Sequence, residues 1–412
     1  MTASLRIALI ASSRFSISQP FAGGLEAHVW HLAHALADRG HQVSLFAAAG
    51  SDEDLDCQTI AVRPLELSDA ARSDVSMPAA AFMADHHAYL TLMLQLAGCA
   101  SNDFDIIHNH SLHYLPVAMA PMLSTPMLTT VHTPPTPWLE SAIDTSGGVG
   151  THFAAVSEHT AAAWRRTVER INVVPNGIDV QHWPLGPGGG PLVWFGRMTS
   201  EKAPHLAIAA ARRARLPLEL AGPISDPRYF ETEVESRLGD GIRYAGHLDQ
   251  ASLARLVGAA TASLVTPMWD EPYGLAVAEA MCCGTPVVAF DRGGIPELVG
   301  SKSGCLVAPG DPDAMAAAIP AVQRLSRRKV HEHAVRHCSA EAMLRSYLDL
   351  YENMLDDHHE GNNDRLLHPS SGFRTLGASD EHLCAPAMPG HSTQLAGHSR
   401  PASVRTSREA PA

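Results

Sequence analysis

The sequence predicts an α/β fold of two doubly wound parallel sheets, and three observations predict it. Short apolar runs alternate with amphipathic helical stretches almost from the first residue. The alternation stops once, where proline and glycine crowd together, and then restarts. The chain, at 412 residues, is also longer than one ordinary core organises. Strand–helix alternation of this kind feeds parallel strands through helical crossovers.

Taken in order, buried strands are predicted at 5–11, 42–48, 105–110, 126–132 and 152–157. The helical stretch LEAHVWHLAHALADRG ends at Gly40, a residue suited to the left-handed turn that closes a helix. The pause is QHWPLGPGGGP, residues 181–191, whose composition is that of a linker. Strands resume at 191–196, 217–222, 241–246, 262–267 and 286–291. The expected organisation is a first domain over 1–183 and a second over 184–340, hinged near residue 185. A helix at 341–357 is expected to cross back to complete the first domain. Residues 358–412 are rich in Gly, Ser, His and Pro without an apolar period, and are expected to form a disordered tail whose scattered histidines bind nothing.

Composition narrows the class of partner. A formal net charge of −13 argues against nucleic acid and against an anionic membrane surface, both of which reward Lys and Arg. Seven cysteines, two of them the adjacent Cys282 and Cys283, fit free thiols in a reducing cytoplasm better than a disulfide framework. The N-terminal apolar run reads as a strand, and no run reaches the length of a membrane span. A cytoplasmic location is expected, while oligomeric state is not legible.

Three constellations carry chemistry. Gly23 and Gly24 stand just before the first long helix, where bare backbone N–H groups and the helix dipole favour an anion. In FGRMTSEKAPH, Arg197 and Lys202 follow the first strand of the second half, where an α/β sheet binds phosphate; a planar fork and a compact cation suit a diphosphate. In DEPYGLAVAEA, Glu271 lies in the loop at a helix start and Glu279 two turns into that helix. The amides of Gly274 and Leu275 are placed to face the same crevice. Carboxylates there can accept hydrogen bonds from paired sugar hydroxyls. Each feature alone admits a plain reading: turn geometry, solvated charge, a helix cap. The set, followed by GTPVVAFDRGGIPELV, does not.

Together these motifs resemble the retaining nucleotide-sugar glycosyltransferases of family 4. The likeness extends to GGLEAHVWHLAHALADRGHQVSLF and VVPNGID, and so covers roughly residues 5–350. It implies the GT-B fold, two Rossmann-like domains facing across a cleft, with the donor held mostly by the second. It implies that Arg197 and Lys202 neutralise the donor diphosphate, Glu279 grips the ribose and Glu271 meets the transferred sugar, and that Gly24 approaches the phosphate from the first domain. His110 in DIIHNHS resembles a family histidine near the transferred sugar. His108 is expected to point the other way, into the core, and His132 to contact donor or acceptor.

The implied chemistry is retaining transfer by front-face attack, without a metal or other cofactor. DED at 52–54 and DPD at 311–313 mimic the D-x-D metal motif of the other major glycosyltransferase fold, but both sit in loop or helix-start contexts. A dinucleotide oxidoreductase is disfavoured because G-x-G-x-x-G is missing. A nucleotide-sugar epimerase and a non-catalytic sugar-nucleotide binder remain as alternatives. The acceptor, a small molecule or saccharide, is expected to be read by loops at 12–22, 60–85 and 134–150. For the donor, UDP-glucose or UDP-N-acetylglucosamine is favoured, with GDP-mannose next.

Overall fold

A computed structural model describes residues 4–55, 57–59, 65–98 and 103–367. Its first sheet contains β1 (Arg6–Ile10), β2 (Gln42–Ala47), β3 (Cys57–Thr59), β4 (Ile106–Asn109), β5 (Met127–Val131), β6 (Thr151–Ala155) and β7 (Asn172–Val173). Its second contains β8 (Leu192–Phe195), β9 (Leu218–Ala221), β10 (Ile242–Tyr244), β11 (Ser263–Val265), β12 (Val287–Phe290) and β13 (Gly304–Val307). The orders are β3-β2-β1-β4-β5-β6-β7 and β10-β9-β8-β11-β12-β13. Every pairing between these strands is parallel.

Both sheets reverse direction of growth next to their first strand, between β1 and β4 and between β8 and β11. Crossovers there leave to opposite faces, so the loops beyond the strand ends part and open a crevice. Register keeps the loop origins together: Ile10 pairs with Asn109, and the His110 N–H donates to the Ile10 carbonyl at 2.8 Å.

Most residues of the central strands are apolar because helices cover both of their faces. The helix Gly24–Asp38 buries Val29, Leu32, Ala33 and Leu36, a 3.6-residue stripe, against Ile7 and Leu9 of β1. The final helix, Ala340–Leu367, buries Met343, Leu344, Tyr347, Tyr351 and Met354 in that same cluster, so the chain's end completes the core of its beginning.

Four expectations are corrected. The glycine-rich stretch after residue 185 is not a free linker. Gly186, Gly188 and Gly190 donate to backbone carbonyls of Cys283, Gly258 and Ala259. Arg327 also reaches in to the carbonyls of Gly186, Gly258, Ala260 and Cys283 at 2.8–3.2 Å. Two chain segments that pass between the halves also run side by side: Ile178 N–H donates to Cys338 O at 2.7 Å, and Ala340 N–H to Ile178 O at 3.0 Å. Second, the last helix runs to Leu367 rather than ending near 357, since extending a nucleated helix costs little even without an apolar stripe; residues 368–412 lie outside the described residues. Third, the unpatterned segments thought to be loops carry the helices Asp69–Ser73, Ala80–Gly98 and Pro137–Ser146, while 60–64 lie outside the described residues. Fourth, β3, β7 and β13 were not predicted. They are edge strands of two to four residues, too short to show a period.

Candidate active site

The crevices of the two sheets face one another across a cavity of about 910 Å³. From the first half its wall includes Gly23, Gly24, Glu26, His132 and Asn176; from the second, Arg197, Lys202, Trp269, Glu271, Leu275 and Glu279.

Two helices point their N-termini into this space. Gly23 caps the helix Gly24–Asp38 and Gly274 caps the helix Leu275–Cys282; neither cap supplies a side-chain hydrogen bond, which leaves first-turn amides open to an anion. Gly274 holds φ +105°, a conformation glycine reaches without strain. The two ends nearly touch. A Cβ at Gly24 would fall 2.5 Å from Leu275 Cδ1, so glycine at 24 permits the approach of the halves.

Lys202 and Glu271 form the centre of charge. Lys202 Nζ donates to both Glu271 oxygens at 2.8 and 2.6 Å, Trp269 Nε1 donates to Glu271 Oε2 at 2.9 Å, and Nζ lies 5.2 Å from the Trp269 ring centre. Arg197, half-exposed, stands beside Glu201 at 3.5 Å. Glu271 is fixed from behind by the loop 291–294. The Gly294 N–H donates to Glu271 O at 2.7 Å, and a Cβ at Gly293, where φ is +63°, would lie 2.2 Å from that same carbonyl. The two glycines of DRGGIPELV thus let one backbone lie directly against another. Across the cleft, Ser157 and Thr160 hydroxyls donate to Pro272 O, and Glu297 accepts from the amides of Glu158 and His159 at 3.0 and 2.8 Å.

Glu279 opens on the cavity from a helix otherwise packed in the core, and burial pushes its carboxyl up to about 8. Glu26, in the first turn of the opposite helix, is raised by burial too, with its own amide and Arg197 pulling it back. Glu26, Trp269 and Asn176 went unrecognised in the sequence. The signal for Glu26 was an acidic residue in the first turn of a helix that starts at a glycine pair. Asn176 is buried with its Oδ1 unpaired, and nothing short of the fold marks it.

The histidines depart from expectation. His108 and His110 share one side, with ring centres 3.9 Å apart, because residues two apart along a strand face the same way. His108 is held by Tyr351 Oη at 2.6 Å and Thr130 Oγ1 at 2.8 Å. His110 does not line the cavity. It is fully buried behind His132, with its Nδ1 2.9 Å from His132 Nε2. His132 lines the cavity itself. Burial holds all three well below the usual histidine range. The two D-x-D look-alikes are structural. Asp311 accepts from the amides of Asp313 and Ala314 to cap a helix, and Asp52 accepts from Trp30 Nε1 at 2.9 Å.

Two family models match consecutive parts of the chain: one described as Glycosyltransferase Family 4 over residues 22–182, and one described as Glycosyl transferases group 1 over 190–324. A glycogen synthase of Mycobacterium tuberculosis is 28% identical over 73% of this chain and 82% of its own length. A D-inositol 3-phosphate glycosyltransferase of Mycobacterium marinum is 26% identical over 83% of this chain and 85% of its own. Among solved structures, sucrose-phosphate synthase from Thermosynechococcus elongatus superposes with a TM-score of 0.69 at 22% identity, covering 86% of this chain and all of that one. HepE from Anabaena, solved with UDP-glucose, gives 0.67 at 18%, covering 85% of this chain and all of that one. The chain is a glycosyltransferase of the GT-B fold.

Proposed function

We propose that this enzyme moves a hexosyl group from a nucleoside-diphosphate sugar, a UDP-sugar by preference, to a hydroxyl of a saccharide or small-molecule acceptor, with retention at the anomeric carbon. The observation that carries the reading is the cavity wall on which Arg197, Lys202, Glu271 and Glu279 converge with two helix N-termini that no side chain caps, one from each half. A diphosphate seated between the helix ends meets bare amides on both sides and two cations on one. Glu279 and Glu271 then receive the hydroxyls of its two sugar rings.

The bond from the anomeric carbon to the diphosphate oxygen breaks while the acceptor oxygen attacks from the same face. The leaving diphosphate takes the acceptor's proton. Negative charge growing on that oxygen is stabilised by Lys202, Arg197 and the amides of Gly24 and Leu275, which are already oriented before the donor arrives. These charges stand in for a metal, so transfer proceeds without one. His132 is the first-half side chain that meets the sugar, and His110 positions it through their hydrogen bond. We place the reaction in the cytoplasm; among the described residues no helix is long and apolar enough to cross a membrane.

The test is melting temperature, without added metal, against nucleoside diphosphates, NAD, UDP-glucose, UDP-N-acetylglucosamine and GDP-mannose, followed by product analysis with the sugar that binds. A rise with one nucleotide, absent in Glu279→Ala, and a product keeping the donor's anomeric configuration are expected. A shift with NAD alone overturns the reading. Conversion of the donor to its epimer without acceptor moves it to the epimerase alternative.

A further inference from the structure

His28 has no task in that chemistry, yet it stands beside the two histidines that do, His132 at the cavity wall and His110 behind it. His28 projects from the helix Gly24–Asp38 and is 3% exposed, yet neither of its ring nitrogens has a hydrogen-bond partner. His110, fully buried after β4, leaves Nε2 without one. His132, beyond β5, is the third. The His28 ring centre lies 5.2 Å from that of His110 and 5.0 Å from that of His132, and one nitrogen from each of the three lies within 4.8 Å of the others. A buried imidazole with no partner forfeits the bonds it made with water, about 1–3 kcal/mol per unsatisfied group. The two nitrogens of His28 and Nε2 of His110 are left without a partner, and with the His132 ring beside them, already bonded to His110, they point to a ligand that accepts lone pairs.

We propose that His28, His110 and His132 form a transition-metal site that takes Zn²⁺ through three imidazole nitrogens and keeps a fourth position open towards the cavity. Nitrogen donors at roughly 2.0–2.1 Å suit Zn²⁺, and three protein ligands with one free position is the open form of zinc coordination. Hard cations such as Mg²⁺ prefer oxygen and are not expected to bind. Closing on the ion asks only for small ring movements, and His132, at the wall, gives it a way in. The diphosphate remains the task of Lys202 and Arg197. A second group, His31, Asp179 and His182, is more open to solvent and already satisfied: His182 Nδ1 lies 2.7 Å from Asp179, and His31 Nε2 lies 3.0 Å from Gln250.

The test uses the full chain stripped with a chelator, loaded with ZnCl₂ and passed through a desalting column before metal analysis, with Co²⁺ as a spectroscopic substitute. One zinc retained per chain, a higher melting temperature, and the intense visible absorption of tetrahedral Co²⁺ are expected. His28→Leu, which fills the same apolar space, is expected to fold as the parent does when metal-free and to lose both zinc and the Co²⁺ signal. His182→Ala is expected to keep them. Zinc lost in His182→Ala but kept in His28→Leu overturns the proposal, as does no retained zinc in the parent.

Discussion

Lys202 contributes in two ways that substitution separates. Its ammonium is bonded to both oxygens of Glu271 and is positioned for the leaving diphosphate. Lys202→Ala is expected to lower kcat by about 10²–10³-fold, the range for removing one preorganised charge-stabilising donor, as read by steady-state release of nucleoside diphosphate. Glu279 belongs to a different balance. Its carboxyl, lifted from 4.5 to about 8, holds its proton more tightly folded than unfolded. Its contribution is therefore fully present below about pH 4.5 and is lost as pH rises through about 8. In Glu279→Gln nothing ionises. The variant's melting temperature is expected to exceed the parent's above pH 8, with the gap narrowing towards pH 5. A gap independent of pH would show that Glu279 titrates normally.

Among the elements, the loop 291–294 sets where Glu271 stands. Gly293 has φ +63° and lies against the Glu271 backbone, so a methyl group there meets both strain and a clash that no rotamer relieves. Gly293→Ala is expected to cost about 1–3 kcal/mol and to depress transfer more than donor binding, since it re-aims Glu271 while leaving Arg197 and Glu279 in place. Thermal melting and separate kcat and KM values check this. The helix Leu275–Cys282 ends just before Gly284, which, at φ +70°, donates to Met281 O at 2.9 Å.

For the whole molecule, the two chain segments that pass between the halves run side by side, residues 177–178 beside 338–340. A Cβ on Gly177 would fall 2.4 Å from Ala340 Cα, backbone against backbone. Gly177→Ala is expected to cost about 1–3 kcal/mol by overpacking, seen as a lower melting temperature, while the second sheet and its donor-binding side chains stay intact. The sequence shows ten of the thirteen strands among the described residues and the two glycine-started helices, because apolar runs and breakers are local signals. Arg197, Lys202, Glu271 and Glu279 were legible for the same reason: each sits at a fixed offset from a strand end or helix start, and the order of the sheet brings those ends together. What the sequence could not express is distance between residues far apart in the chain. The bond of Lys202 to Glu271 and the burial that lifts Glu279 arise when the second half folds, and the withdrawal of His110 behind His132 and the union of His28 with both arise when the first half does. Local pattern determines which elements form and what they carry at their ends; desolvation and pairing, which set the chemistry, are decided by packing.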